Sequence, residues 1–217
     1  MLEVVHLVES ARYHLFNLDR LTSGEGSAPR DFQSGVDFTG AELDAHWRTM
    51  ASWIEFEAFL SAGKRCLDRA WCCLGERLGP DASKIRTLGG AIYKLNKRVK
   101  DQGIKEFVIR LSYFSHLQTA WRDWGQELAD LRNYVEHQAP LGGRSFGFTQ
   151  ETEQGDIIRI FIPDEIPENK ENVPKRTLTF SKQLTANAYA RHTMTRLDDL
   201  IAVLLREGEV LVTRFGV

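Results

Sequence analysis

Proline is scarce, at 6 in 217 residues, so few positions would break long helices, and collagen-like or proline-rich extended architectures are excluded. Cysteine is scarcer still. The 3 present, Cys66, Cys72 and Cys73, share one short stretch with Leu67, Trp71 and Leu74, with no second cluster to complete a disulfide framework or a zinc site. They read as reduced core residues. No apolar run approaches the roughly eighteen residues of a membrane span, so no membrane partner is expected. The start, Met1-Leu2-Glu3-Val4, carries an acid where a secretory leader carries positive charge, and a cytoplasmic location is expected. A dominant charge sign is also missing. With 28 Lys and Arg against 30 Asp and Glu, attraction for nucleic acid has to come from a local patch.

What is present is a helical pattern over the first two thirds of the chain. Leu2 to Leu21 fit one helix, and Thr22 to Val36, rich in Gly, Ser and Pro, fit a loop. Thr39-Gly40-Ala41-Glu42 forms a capping box, after which Trp53, Phe56, Leu60, Gly63, Leu67, Ala70 and Leu74 recur at steps of three and four. That helix is expected to reach Leu78, before Gly79-Pro80, with a kink near Gly63. A third helix is expected over Ala82 to Lys100, interrupted or frayed at Gly89-Gly90. The clearest stripe is Phe114, Leu117, Trp121, Trp124, Leu128, Leu131 and Val135, ended by Pro140-Leu141-Gly142-Gly143. Beyond it Ser145 to Thr149, Ile157 to Ile162 and Thr177 to Phe180 read as short strands, Asp164 to Lys175 as an exposed loop, Lys182 to Arg206 as a helix, and Val210 to Phe215 as a last strand. The expected fold class is mainly α: a helical bundle over 1–140 with a small β-strand and helix appendage over 141–217 packed on it.

Chemistry concentrates where the fourth long helix ends, at Leu131-Arg132-Asn133-Tyr134-Val135-Glu136-His137. With Leu131 at 0°, Val135 lies at about 40° on the apolar stripe, while Arg132, Glu136, Asn133 and His137 lie at about 100°, 140°, 200° and 240°. An arginine can hold a phosphate bidentately, and a histidine can take a proton from a ribose 2′-hydroxyl or give one to a leaving oxygen. RNA supplies its own nucleophile, so such cleavage needs no metal. The chain has no His-Glu-x-x-His, paired Cys-x-x-Cys or EF-hand loop, and neither Gly89-Gly90 nor Gly142-Gly143-Arg144 has P-loop context. No metal or cofactor is expected.

Arg132-Asn133 followed by His137 resembles the signature of the HEPN superfamily, an arginine, usually with a polar neighbour, then a histidine four to six positions on. The resemblance implies an α-helical bundle over about residues 1 to 140 and metal-independent endoribonuclease activity in a stress, toxin–antitoxin or phage-defence setting. It also implies a homodimer pairing two motifs, and a protein antitoxin or defence partner. By position, Arg132 would contact phosphate, Asn133 would orient the site and His137 would be the acid–base group, with Glu136 in support. Ala139 stands where toxins silenced by nucleotidylation carry a tyrosine, so that control is not expected. A catalytically silent helical module binding a protein or nucleotide is the alternative. So is a simpler role, in which Arg132 and His137 cap the carbonyls at the helix end.

A second feature is basic. Between Lys84 and Lys105 seven basic residues face Asp101 alone, and Lys94, Lys97, Arg98 and Lys100 are the positions expected to track an RNA backbone, with Tyr93 as a stacking candidate or a core residue. Glu55, Glu57, Asp123 and Asp130 read as solvated helix faces, and Trp121 and Trp124 as core or subunit contact.

Overall fold

The computed structural model describes residues 1–23, 40–78, 80–97, 112–137, 146–150, 157–164 and 179–215. It is mainly helical, as the apolar periodicity requires, with one small strand pair. The helices are α1 (Leu2–Thr22), α2 (Gly40–Leu78), α3 (Pro80–Ser83), α4 (Leu88–Lys97), α5 (Ser112–Ala120), α6 (Gln126–His137) and α7 (Ala186–Phe215). A π-helical turn, Trp121–Gly125, joins α5 to α6 through helical dihedrals at Ala120 and Gln126, so the rod expected from the stripe is continuous. Strands β1 (Phe146–Gln150) and β2 (Ile157–Phe161) pair antiparallel, with Phe146 opposite Phe161.

Two compact units divide the chain. The first comprises Met1–Ser10, Ala62–Ala129 and Thr193–Val217. Its core gathers Val4 and Val8 of α1, Leu67 and Trp71 of α2, Phe114, Leu117 and Leu128 of the α5–α6 rod, and Leu197 and Leu204 of α7, all buried. Trp71 is 1% exposed, packs edge-on to Phe114 and donates its indole N–H to the Ile85 carbonyl at 2.8 Å, which satisfies the one polar atom such a ring buries. Gly63 belongs to this packing. A Cβ there would lie 3.3 Å from Leu128 and 3.5 Å from Leu197, so the missing side chain serves close helix approach.

The expected third helix is two pieces, since Lys84 to Thr87 leave the helix between α3 and α4. Pro80 opens α3, where a missing N–H costs nothing, and Thr87 caps α4 by accepting the Gly90 N–H at 3.2 Å. Asp68 of α2 adds a second cap, accepting the Leu88 N–H at 3.0 Å. Gly89 and Gly90 therefore sit in the first turn of α4, and a Cβ at Gly89 would fall 2.6 Å from the Trp121 ring. The glycine is there because the indole lies on its backbone.

The second unit comprises Ala11–Ser61 and Asp130–His192. Leu18, Phe56, Leu131, Val135, Ile158 and Ile160 are buried in it, and Ile158 and Ile160 alternate with exposed Arg159, so β2 presents one face to apolar surroundings. Arg48, 3% exposed, donates Nε–H to the Leu21 carbonyl at 3.0 Å, satisfying an orphan carbonyl at the end of α1. Asp19 accepts from Asn187 at 2.8 Å and from Arg191 at 3.0 Å, which fixes α1 to the start of α7. That start is Ala186 rather than Lys182, because Thr185 accepts the Ala188 N–H at 3.2 Å as the cap, while Asp164 holds the backbone N–H groups of Ser181 and Lys182 in a turn at 2.7 and 2.8 Å.

Of the strand expected over Thr177 to Phe180, the first two residues lie outside the described residues, and Thr179 and Phe180 form no strand, although the Thr179 carbonyl accepts the Asp164 N–H at 2.8 Å. One further strand expectation is corrected. Val210 to Phe215 is helix, the end of α7, because the apolar positions Leu204, Leu211 and Phe215 keep helical steps of seven and four and no proline intervenes. Residues 24–36, the capping Thr39 and the loop positions beyond Asp164 up to Lys175 lie outside the described residues. Among the described residues, no helix is long and apolar enough to cross a membrane.

Candidate functional site

The end of α6 carries the motif. Leu131, Tyr134 and Val135 are buried, Arg132 and Glu136 half-buried and Asn133 exposed, matching the angular separation of apolar and polar positions. Arg132 donates from Nη2 to Glu136 Oε1 at 2.6 Å and from Nη1 to Asn133 Oδ1 at 3.2 Å, and Nη1 also pairs with Glu136 Oε2. Its Nε is buried without a hydrogen-bond partner among the described residues. Among the described residues none of these bonds goes to a helix-end carbonyl; Arg132 is held there by side chains. A guanidinium gripped on two nitrogens by one carboxylate is fixed in orientation, and its charge is offset, so an incoming phosphate has to compete with Glu136. His137 is the last residue of α6, one turn past Asn133, and its side chain lies outside the described residues.

Of the basic stretch, Lys94 stands exposed on α4 beside Tyr93, itself 50% exposed and hence no core residue. Lys97 ends α4 with its side chain outside the described residues, and Arg98 and Lys100 lie outside them altogether. The structure brings Arg132, Asn133 and Glu136 together and places Lys94 in the other unit.

Two groupings escaped the sequence reading. Glu55 is not a solvated carboxylate: it meets His14 Nδ1 at 2.7 Å and accepts from Asn17 at 3.3 Å, in a half-buried pair that joins α1 to α2. Only the spacing of His14 and Asn17, three apart on one face of α1, hinted at it. The other is a cavity of about 480 Å³ lined by three arginines, Arg65, Arg69 and Arg86, with His6 beside them. Arg65 and Arg69 sit four apart on one face of α2, which is legible in sequence, but Arg86 and His6 arrive by folding.

The thiols nearby are not poised for nucleophilic chemistry. Burial pushes Cys66 up to about 12 and raises Cys72 as well, despite Arg69 and Arg86 near the latter. Among the described residues, no group of three or more His, Cys, Asp or Glu side chains is placed to hold a metal ion. No protein-family model matches the chain, and no curated protein and no solved structure matches it significantly.

Proposed function

We propose that this protein is a metal-independent endoribonuclease of HEPN type, acting through Arg132, Asn133 and His137 at the end of α6. One observation supports the reading: among the described residues Arg132 is held in orientation by Glu136 and Asn133, with no bond to a helix-end carbonyl, which suits a positioned ligand-binding group better than a cap. In this reading Arg132 holds the scissile phosphate, Asn133 orients it and Glu136 fixes the guanidinium. His137 takes the proton from the ribose 2′-hydroxyl, the 2′-oxygen attacks phosphorus, and the bond from phosphorus to the 5′-oxygen breaks as that oxygen gains a proton. A second copy of the chain would contribute the second acid–base group, and RNA, with a protein antitoxin or defence partner, would be what the site meets.

A second reading has its own support. Because Glu136 occupies both terminal nitrogens of Arg132, the same residues suit a silent helical module that binds a partner or nucleotide without cutting RNA. Single-stranded RNA incubated with the purified chain in EDTA separates the two. Cleavage leaving 2′,3′-cyclic phosphate and 5′-hydroxyl ends is the expected result; RNA that stays intact, over a range of sequences and with the chain folded, rejects the nuclease reading in favour of the module.

A further inference from the structure

The cavity in the first unit is assembled from α1, α2 and the segment between α3 and α4. Its two acids are already neutralised. Glu3 pairs with Arg69, which also holds Glu76 at 3.0 Å, and Asp68 takes Lys64 as well as capping α4. Arg65, Arg86 and His6 are left exposed with no ion pair or side-chain hydrogen bond among the described residues. Two unpaired guanidiniums around one concavity repel each other and leave ten N–H donors to water, which an oxyanion would relieve.

The segment carrying Arg86 is also held rigidly. The Ile85 carbonyl accepts from Trp71 at 2.8 Å, the Arg86 carbonyl from Cys72 at 3.6 Å, and the Leu88 N–H goes to Asp68, so three anchors on α2 fix the backbone from which the Arg86 side chain reaches the cavity. The volume far exceeds a bare phosphate and falls within the roughly 300–1,000 Å³ typical of small-molecule sites, while Leu7 and Cys72 give part of the wall a less polar character.

We propose that this cavity binds a small phosphorylated molecule, its phosphate held by Arg65 and Arg86 with His6 at the rim and its uncharged body lying against Leu7 and Cys72. A phosphate monoester, at nearly two negative charges, matches two free guanidiniums; a monocarboxylate neutralises one. The site stands apart from the proposal for Arg132, which belongs to the second unit.

Isothermal titration calorimetry of the full chain, in low-salt buffer free of phosphate, tests this with phenyl phosphate, inorganic phosphate and benzoate as probes. Phenyl phosphate is expected to bind saturably at one site per chain, more tightly than inorganic phosphate and far more tightly than benzoate. Arg65→Gln and Arg86→Gln should each weaken it at least about tenfold, Arg65→Lys should lose less than Arg65→Gln, and Arg122→Gln, an exposed arginine outside the cavity lining, should leave it unchanged. Neither arginine supports the fold through a side-chain partner, so the variants should keep the wild-type circular dichroism spectrum. Absence of saturable binding up to about 10 mM overturns the proposal, as does binding indifferent to both substitutions. Equal affinity for phenyl phosphate and inorganic phosphate overturns the assignment of Leu7 and Cys72 to a ligand body. If phenyl phosphate does not bind while affinity for single-stranded RNA drops in both Gln variants, the arginines belong to an RNA track and the small-molecule site is rejected. Because RNA cleavage and phenyl phosphate binding are separate readouts on separate residues, either proposal can fail without the other.

Discussion

Replacing Gly89 with alanine is a direct probe of how α4 meets the α5–α6 rod. The new methyl carbon would lie 2.6 Å from Cζ2 and 2.9 Å from Cη2 of Trp121, whereas carbon atoms rest at about 3.5 Å or more, so the ring or the helix has to move by roughly 1 Å. Overpacking of that kind costs about 1–3 kcal/mol. Alanine returns at most about 1 kcal/mol of helix propensity, and less in a first turn, so the net loss should be about 1–2 kcal/mol. For a chain of this size that lowers the melting temperature by about 2–8 °C. Thermal unfolding followed by circular dichroism measures it, and a double-mutant cycle assigns it. In a Trp121→Leu background the contact is gone, so Gly89→Ala should be neutral or stabilising there, with a coupling of about 1–3 kcal/mol between the two sites. A Gly89→Ala protein more stable than wild type, or a coupling near zero, would refute the claim that the indole dictates the glycine.

Glu136→Gln should cost only about 0.5 kcal/mol of stability, because the pair it breaks is a half-exposed i,i+4 bridge, yet it should tighten RNA binding several-fold by releasing the Arg132 fork; unchanged affinity in filter binding would deny the competition. The Ser181 hydroxyl, with the backbone N–H groups of Ser181 and Lys182, holds Asp164 down at about 2, below the ordinary carboxylate value near 4. Its contribution is therefore fully present above about pH 4 and lost as pH falls toward 2, so the stability gap between wild type and Asp164→Ala should be constant from pH 7 to about 4.5 and then close. A gap that widens on acidification in urea titrations would contradict this. Burial lifts Cys66 to about 12 and raises Cys72, which lowers the thiolate fraction of both at pH 8, so iodoacetamide should modify half-buried Cys73 first, Cys72 more slowly through the cavity it lines, and Cys66 only once the chain unfolds; mass spectrometry of the native protein resolves the order.

The elements with a sustained apolar period were legible in sequence. The α5–α6 stripe is buried from Phe114 to Val135 apart from half-buried Trp121, because a repeat of three and four leaves a helix one face to bury. The π turn at Trp121–Gly125 was not legible, since it adds a residue to one turn without disturbing the local spacing of apolar positions. The break between α3 and α4 follows from tertiary bonds, with Trp71, Cys72 and Asp68 of α2 pulling on Ile85, Arg86 and Leu88. Nothing near residue 85 announces them. At the candidate site, the turn-by-turn rotation of a helix was enough to group Arg132, Asn133 and Glu136, but not to say that the carboxylate would take the guanidinium for itself. His6, Arg65 and Arg86 come from three segments, and sequence offers no period that joins them.

The central claim is that Arg132 holds a scissile phosphate and His137 moves a proton, and one paired measurement tests it most directly: RNA affinity by filter binding and RNA cleavage in EDTA, on wild type, Arg132→Ala and His137→Ala, with melting temperatures recorded alongside. Arg132→Ala should lose both binding and cleavage, whereas His137→Ala should bind as wild type does and fail to cut, since a proton-transfer group acts only in the transition state. Both variants should melt within a few degrees of wild type. Cleavage that survives either substitution, or two variants that melt early from a wild type that neither binds nor cuts RNA, would contradict the account and return Arg132 and His137 to a structural role.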